Sequence, residues 1–484
     1  MPSERLAGSE PVGGVHVIGR LIRARAPGIR LLRAALLAVA IVVGLFLGGA
    51  ATTTLRAPGV YDKDLLQDYV MARAIEDGTD PYLPIQTLAE RYLGRLPEAP
   101  RPTPSPHPPF AGFLLVPLTV VDYPTAAAIW MVLEAACLAA SVQLLARAAG
   151  ARLAPAQTIC IAILLLAWYP VFSDLENGQF MVVLLLLLTG AWLAFRAERH
   201  ALAGVLLGLT VLIKPITWPV LLAFLVRKNW RVVGPSAATL LIGYLVAGLV
   251  IGFDRIIVYV TRVLPAVSTL YGATSLNLSL WAVGTRFFTG TELLSDNGVN
   301  QSVVRISPLV SAPLAAQIVS IGVPLALLLV ACLLVRTHLG DDWTLGVMTC
   351  VSILVTPISW GHYLVLAAIP ATLVIQWLVA HRFPVAATNA ALAVALLLVC
   401  PDFVWAHLVF FGSGAAAASP VSFARGLFLL EPTVAIAGLG WLAWTLGRRE
   451  LPHPLAPSPS NGEGERSGHG RLPSPPRGEG QGVR

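Results

Sequence analysis

The composition of this 484-residue chain is far from that of a soluble protein, because 56% of its residues are hydrophobic and only 12% are charged. Ordinary globular domains are about 45–50% apolar and about 25% charged, so the composition excludes a soluble enzyme and predicts a polytopic membrane protein. The formal net charge of +7 does not indicate a nucleic-acid partner. Arg is concentrated at the start, in short connections and in the tail, where the preference of basic residues for the cytoplasmic side accounts for it.

The N-terminal region is basic and precedes the first long apolar run. Residues 1–29 are predicted to lie in the cytoplasm. The run that follows, "LLRAALLAVAIVVGLFLGGAA", is long enough to span about 30 Å of hydrocarbon. It lacks a convincing signal-peptide cleavage site at its end, so we expect a retained first transmembrane helix.

Basic clusters assign the later segments to sides of the membrane, since Arg and Lys flank the cytoplasmic ends of spanning helices. The clusters "RAERH" and "RKNWR" are both predicted to be cytoplasmic, so the apolar run between them must cross an even number of times. Pro215 cannot donate a backbone hydrogen bond, and the run is therefore predicted to fold back at Lys214-Pro215. Further crossings are predicted over residues 123–146, 154–172, 180–195, 230–251, 309–335, 343–356, 364–380, 384–404 and 427–446. The layout has about twelve crossings with both termini inside.

The chain divides into three parts on composition. Residues 30–449 are predicted to form one transmembrane catalytic domain with two large external regions, 55–109 and 253–307. The second of these contains "LSLWAVGTRFF", which predicts a helix along the membrane surface. Residues 450–484 are rich in Pro, Gly and Ser and have too little apolar surface to offset the entropy of ordering, so a disordered tail is expected.

The first external region opens with an unusual density of acids, six of them between Tyr61 and Tyr82. The stretch "LLQDYVMARAIEDG" predicts a helix that lies along the membrane interface and ends at Gly78. Glu76 and Asp77 would then belong to the solvated face of this helix. The Asp residues at the start of this helix are therefore the candidates for a catalytic role.

Other polar residues also fall in predicted external loops or at external helix ends: His107, Asn177, Gln179, Lys214, Asn277, Ser279, Trp360 and His362. Each has a purely structural interpretation as well. Asn177-Gly178 is a tight-turn signal, Lys214 could snorkel to the interface, and His362 beside aromatic residues fits an interfacial belt. Ionisable groups at membrane depth are costly and persist where they pair or line a pathway, so their convergence on one face favours a shared site.

Six stretches of the chain occur in the order shown by the bacterial family 87 glycosyltransferases. The first, "DLLQDYVMARAIEDGTDPY", resembles the family pattern D-F-x-x-Y-Y-x-A-A-x-A-x-x-x-G-x-D-P-Y. The others are "HPPFAGFLLVPL", "NGQFMVVLLLLLTGAWLA", "AGVLLGLTVLIKP", "NLSLWAV" and "TPISWGHYLVLAAIP". The resemblance runs from about Arg30 to Arg449. Each motif alone is weak, whereas six in order are specific.

The resemblance implies an all-α, polytopic, GT-C-like fold and an integral membrane hexosyltransferase of the EC 2.4 class. Such proteins are similar to polyprenol-phosphate-mannose-dependent α-mannosyltransferases. The expected donor is a polyprenyl-phosphate sugar with mannose as the family expectation, and the expected acceptor is a lipid or glycan. The implied location is the cytoplasmic (inner) membrane, with the active site on the extracytoplasmic side among membrane lipids.

Transfer from a polyprenyl phosphate needs a base for the acceptor hydroxyl but no general acid, because phosphate is already a good leaving group. The resemblance places Asp64 at the acidic position of the first motif, which makes it the expected base of an inverting reaction. Asp62 lies two residues upstream and is the alternative. Asp68 stands where the family usually has the first Tyr of a pair, so its role is open.

The leaving phosphate requires fixed positive charge, for which Lys214, His362 and His107 are the candidates. The remaining candidates are predicted to bind substrate: Asn177, Gln179, Asn277, Trp360 and Tyr82. No metal or other cofactor is expected. The alternative is a divalent cation held by Asp62, Asp64 and Asp68, since clusters of carboxylate oxygens suit Mg²⁺, Mn²⁺ or Ca²⁺.

Two other functions use the same residues. A flippase or transporter of a lipid-linked substrate would line its path with them, although no corresponding broken helices are found in two halves of the chain. A non-catalytic membrane scaffold would tolerate changes at all the acids of the first external region.

Overall fold

The computed structural model describes residues 27–94, 103–272, 274–296, 301–337, 339–399 and 422–450. The predictions for the N-terminal region up to residue 26 and for the tail from residue 451 lie outside these ranges. The helices of the first half are α1 (Pro27–Thr53), α2 (Leu65–Glu76), α3 (Ile85–Leu93), α4 (Pro109–Leu115), α5 (Tyr123–Ala148), α6 (Pro155–Leu166), α7 (Tyr169–Asn177), α8 (Met181–Arg196), α9 (His200–Ile213) and α10 (Trp218–Val226).

The second half continues in the same way. Its helices are α11 (Trp230–Ile251), α12 (Phe253–Val258), α13 (Leu264–Gly272), α14 (Trp281–Phe288), α15 (Pro313–Thr337), α16 (Asp341–Val355), α17 (Ala368–Ala380), α18 (Val385–Val399), α19 (Phe423–Gly426) and α20 (Glu431–Arg449). Short 3-10 turns cover Gly59–Asp62, Val116–Leu118, Gly361–Ala367 and Leu427–Leu430, and a π-turn covers Tyr259–Val263. Strands β1 (Thr291–Asp296) and β2 (Gln301–Ile306) form an antiparallel hairpin, with Thr291 opposite Ile306.

Several helices are long and apolar enough to cross a bilayer. Five pass this test by themselves, and the pair α6 and α7 makes a sixth if the two are one bent span. The five are α5, α11, residues Pro313–Arg336 of α15, Gly361–Ala380 and Leu427–Arg449. Shorter apolar helices lie in several of the other predicted crossings. The described residues thus form an all-α membrane protein apart from the hairpin, while the count of twelve crossings stays a prediction.

The predicted crossing over residues 154–172 is not one straight helix. Helices α6 and α7 meet at 88°, because Pro170 lacks the N–H that would bond to the carbonyl of Leu166 and carry the helix through. Helix α7 then continues to Asn177, so most of the segment "SDLENGQ", which was expected to be a short turn, is helical. The chain turns at Gly178, whose φ of +66° is a left-handed conformation that glycine adopts without strain.

The predicted break at Lys214-Pro215 is confirmed. Helix α9 ends at Ile213 and α10 begins at Trp218. Lys214 is extended, with φ −151° and ψ 115°, as expected for a residue that precedes proline.

Helix α2 follows the predicted sequence but not the predicted environment. Glu76 and Asp77 are exposed, whereas ten of its twelve residues are buried. Among them, Asp68 is 1% exposed. The helix is enclosed by protein, with α4 packed against it, rather than lying along a solvated interface. The large apolar residues of this helix lie on all of its sides, which explains the placement: Leu65, Leu66, Tyr69, Val70, Met71 and Ile75. A helix without a polar stripe has no face to turn to water.

The loops that were predicted to be cytoplasmic lie together at one end of the bundle. Arg196 at the end of α8 pairs with Asp342 at 2.5 Å, and Arg227 after α10 pairs with Asp341 at 2.7 Å. Helix α16 runs from these two acids to Val355 and is buried from Trp343 onward. Helices α8 and α16 therefore connect this ion-paired end to the opposite end, where the candidate site lies.

Candidate active site

A cavity of about 640 Å³ opens at the end of the bundle opposite the ion pairs. Its walls come from the start of α2, the loop before α4, the helix α7, the break between α9 and α10, and the turn after α16. The predicted site residues among its lining are Asp64, His107, Gln179, Lys214, Trp360 and His362. The family-like stretches, which are far apart in sequence, thus supply one site.

Three of these residues form a continuous chain of hydrogen bonds. Gln179 Nε2 donates to Asp64 Oδ2 at 2.7 Å, and Lys214 Nζ donates to Gln179 Oε1 at 2.7 Å. The two bonds fix the orientation of the Gln179 amide. A neutral amide therefore stands between the carboxylate of Asp64 and the ammonium of Lys214.

The position of Gln179 follows from how α7 ends and α8 begins. The backbone N–H of Gln179 bonds to the carbonyl of Asp174 at 2.9 Å, after the left-handed turn at Gly178. The carboxylate of Asp174 accepts from the backbone N–H groups of Met181 and Val182 at 3.0 and 2.9 Å. It satisfies two of the four N–H groups that the first turn of α8 would otherwise leave unpaired, and this locks the segment between the two helices.

Lys214 enters the cavity from the break between α9 and α10. Its side chain is 4% exposed, and its Nζ lies 4.6 Å from the centre of the Tyr363 ring. Attraction between an ammonium group and an aromatic face strengthens where water is excluded. Together with the Gln179 contact, it holds the ammonium at a fixed place beside the cavity.

His107 and Asp68 make a second polar pair at the site. His107 Nδ1 lies 2.8 Å from Asp68 Oδ1, and both side chains are buried, at 4% and 1% exposure. A carboxylate only accepts, so Nδ1 carries the hydrogen and Nε2 is the ring nitrogen left for the cavity. Asp68, which lies one helical turn after Asp64, orients this ring rather than lining the cavity itself.

The turn after α16 contributes the remaining polar and aromatic groups. His362 is 5% exposed, and its Nε2 has no hydrogen-bond partner among the described residues. Trp360 packs edge-on against Tyr271, with ring centres 5.4 Å apart. Trp281 also lines the cavity, and its Nε1 donates to the carbonyl of Val355 at 2.7 Å. The ring faces offered here suit the apolar faces of a sugar.

Four predicted residues do not line the cavity. The Asn177 amide donates to the carbonyl of Ser173 on its own helix. Asn277 is fully buried, where its amide donates to Pro357 O at 3.0 Å and its Oδ1 accepts from two backbone N–H groups. Tyr82 stacks on Tyr259 at 5.2 Å, and burial raises the pKa of its hydroxyl. Asp62, the alternative base, also lies outside the lining.

The three aspartates proposed as a cation site do not form one. Among the described residues there is no group of three His, Cys, Asp or Glu side chains placed to share an ion. Asp64 is bonded to Gln179 and Asp68 to His107. The two carboxylates are thus directed to different partners.

Sequence reasoning missed several residues that border the site. Lys63 is 3% exposed and Glu134 is 0% exposed, and Asp174 and Tyr363 make the contacts described above. A signal was present for two of them: Lys63 is a base in the middle of an acidic stretch, and Glu134 is the one acid within the apolar helix α5. Tyr363 carries no such signal, because an aromatic residue beside Trp360 is ordinary in a membrane protein.

Comparison with known proteins agrees with this geometry. No curated protein matches the chain. The profile of glycosyltransferase family 87 matches residues 106–359, which include His107, Gln179, Lys214 and Trp281 of the cavity but not Asp64, Trp360 or His362. The match covers more than half of the chain. The chain belongs to glycosyltransferase family 87 and is a membrane glycosyltransferase.

Proposed function

We propose that this chain transfers a hexose, with mannose as the first candidate, from a polyprenyl-phosphate carrier to a lipid or glycan acceptor. Asp64 is the general base, and the reaction inverts the anomeric centre. The observation that carries the proposal is the Asp64–Gln179–Lys214 chain of hydrogen bonds, which places a carboxylate and an ammonium group beside one cavity. The protein would lie in the cytoplasmic membrane with this cavity on the extracytoplasmic side.

The carboxylate side of the cavity is suited to activating the acceptor. Asp64 stands at the N-terminal end of α2, where the helix dipole favours negative charge, and its own carboxylate does not cap that helix. It would take the proton of an acceptor hydroxyl within about 2.6–3.2 Å. The freed oxygen attacks the anomeric carbon from the face opposite the phosphate, and the bond from that carbon to the phosphate oxygen breaks.

The basic side of the cavity is suited to the departing phosphate. Lys214 and His362 are both buried and line the cavity, and His107 adds a second imidazole, which is held separately by Asp68. Fixed donors in a site with little water stabilise developing charge more strongly than mobile solvent does. The unpaired Nε2 of His362 supports this role, because a buried polar atom without a protein partner is accounted for by a ligand.

The bulk of the cavity is suited to a lipid-borne sugar. Apolar side chains line it beside the charged groups, among them Leu264, Leu276 and Ile358. Trp360 and Trp281 would face the sugar. The test therefore compares donors that differ in their hexose.

The test uses purified protein in detergent with a panel of radiolabelled polyprenyl-phosphate hexoses and a lipid extract as acceptor. We expect one donor to yield a labelled product, and Asp64→Asn to abolish the product while donor binding is retained. Asp62→Asn is the matched control and should keep most activity. If Asp62→Asn is inactive and Asp64→Asn is not, the base is two residues upstream. If Asp64→Asn leaves movement of a lipid-linked sugar across the bilayer measurable and no transfer is found, the protein is a transporter.

A further inference from the structure

Lys63, Asp64 and Leu65 are consecutive in the chain, and all three contact the last turn of α7 or the short segment that joins α7 to α8. Lys63 Nζ donates to the carbonyl of Glu176, and Asp64 accepts from Gln179. Leu65 lies so close to Gly178 that a Cβ on that glycine would stand 2.8 Å from the Leu65 Cβ. The place of Asp64 is therefore set by contacts on both of its sequence neighbours as well as by its own.

Lys63 is an unusual residue to find at this contact. Its side chain is 3% exposed, and burial of an ammonium group is costly unless it is hydrogen-bonded and compensated. The carbonyl of Glu176 is one of the last in α7, where the negative end of the helix dipole attracts a cation. Burial lowers the pKa of Lys63 to about 8, and the carboxylates of Glu134 and Glu176 act in the opposite direction.

Glu134 is an acidic residue of the spanning helix α5. It lies in the middle of that helix and is fully buried. Neither of its side-chain oxygens has a hydrogen-bond partner among the described residues, although the Trp130 indole lies near them. An ionisable group in a spanning helix is expensive and is retained where it pairs with another group or lines a pathway. Of the charged groups that act on Glu134, Lys63 is of opposite sign and Asp174 is of the same sign.

We propose that Lys63 is a positioning residue for the catalytic base: its ammonium is bonded to the Glu176 carbonyl at the end of α7, near the buried Glu134, and this contact keeps Asp64 aligned with Gln179 and the acceptor. Neither Lys63 nor Glu134 lines the cavity, so neither contacts substrate. The inference rests on the role of Asp64 given under Proposed function. It adds that the base is aligned by a buried charge outside the cavity.

The proposal predicts a specific pH dependence. Lys63 is charged below about pH 8 and loses its proton as the pH rises through that value, which weakens its bond to the Glu176 carbonyl and its attraction to Glu134. Turnover should therefore fall on the alkaline side. Removing the carboxylate of Glu134 removes a group that raises the pKa of Lys63, so the alkaline fall should move to lower pH.

The experiment measures transfer by the full-length protein in detergent between about pH 6 and pH 10, a range that brackets the pKa of Lys63. Lys63→Met is expected to lower kcat about tenfold, since small displacements of a catalytic group have effects of this order, with donor KM within about twofold. The alkaline fall of its remaining activity should be smaller than that of the wild type. Glu134→Gln should keep that fall but shift it to lower pH. Arg56→Met removes an exposed positive charge in the same region. It should change neither kcat nor the alkaline fall in activity.

A wild-type kcat in Lys63→Met would overturn the proposal, whereas an alkaline fall that remains beside a lowered kcat belongs to another basic group at the cavity, such as Lys214. If Lys63→Met does not yield folded protein, Lys63→Gln is compared with Lys63→Arg, which keeps the charge, and equal turnover in the two overturns the proposal equally. Asp64→Asn, measured in the same assay, distinguishes failure of the proposed base from failure of the proposed positioning role. If Asp64→Asn remains active, the assignment of the base has failed, whereas an inactive Asp64→Asn beside a normal Lys63→Met rejects the positioning role alone.

Discussion

His107 is held by Asp68, which lies on α2 and precedes it by 39 residues in the chain, with 2.8 Å between Nδ1 and Oδ1. The pair is buried, and it leaves Nε2 as the ring nitrogen available to the cavity. Asp68 lies one turn beyond Asp64 on α2, so a single helix carries both the proposed base and the support of a neighbouring histidine.

Asp68→Asn should therefore act through His107. An amide can donate to Nδ1 and reverse which ring nitrogen carries the hydrogen, so the ring would no longer present Nε2 as it does now. We expect Asp68→Asn and His107→Ala each to lower kcat/KM about tenfold, and the double variant to be no worse than His107→Ala, because the two changes remove one interaction. Kinetics of the three variants check this. Asp77→Asn, on the exposed end of the same region, is the control, and additive losses would show that the residues act separately.

Gly178→Ala tests the contact between the turn after α7 and the start of α2. The added Cβ would lie 2.8 Å from Leu65 Cβ and at a φ of +66°. Gly94→Ala is a matched control, since Gly94 has the same φ of +66° and no atom within 4 Å of the added Cβ. Both variants carry the backbone strain of about 1–2 kcal/mol, but only Gly178→Ala must also move Leu65.

We expect Gly178→Ala to lower the melting temperature clearly more than Gly94→Ala does, and to lower turnover about tenfold or more because Asp64 adjoins Leu65. Thermal unfolding in detergent and the transfer assay measure the two effects. Equal losses of stability in the two variants, with normal turnover in Gly178→Ala, would mean that this contact does not align the base.

Lys214→Ala should weaken use of the donor. The ammonium is buried against Gln179 and Tyr363 and faces the cavity, so its loss removes the fixed positive charge nearest the proposed phosphate position. We expect donor KM to rise about tenfold or more, and Lys214→Arg to recover part of the loss, because a guanidinium keeps the charge but not the compact shape. Near-normal kinetics in Lys214→Gln would indicate that the lysine only sets the depth of its helix.

His362→Ala should also raise the donor KM, by about tenfold, as expected for a charge-assisted hydrogen bond of about 1.5–3 kcal/mol. His362 is the more discriminating of the two histidines, since its Nε2 has no partner among the described residues. His362→Asn keeps a donor of similar size and should retain more affinity than His362→Ala. Binding of a non-hydrolysable polyprenyl phosphonate to each variant separates affinity from turnover, and equal binding in all three proteins would exclude contact with the phosphate.

Sequence reasoning recovered the parts of the fold that local chemistry determines. The break at Lys214-Pro215 follows from the missing N–H of proline, and the end of α2 follows from Gly78. It also gathered Asp64, His107, Gln179, Lys214, Trp360 and His362 onto one site, because loops and helix ends of one side must share a face. Sequence reasoning could not predict which of these side chains bond to one another within the site. That His107 meets Asp68, or Lys63 meets Glu176, depends on tertiary packing between segments 39 and 113 residues apart.

The misplaced helix has a similar cause. Glu76 and Asp77 suggested an amphipathic helix at the membrane surface, but both lie at the C-terminal end of α2 and say nothing about its sides. The side positions, such as Leu66, Val70 and Met71, are apolar and buried. Counting acids without their position around the helix produced the error.

The amide of Gln179 has a consequence for how charge moves during the proposed reaction. Asp64 loses one negative charge when it takes up the acceptor proton. The phosphate gains one negative charge when it departs, so the total charge in the cavity does not change. Negative charge therefore moves from Asp64, at one end of the Gln179 amide, toward the ammonium of Lys214 at the other end. The amide cannot ionise, so it keeps the carboxylate and the ammonium apart at every pH. In surroundings poor in water, moving a charge within the site costs far less than adding a new charge to it.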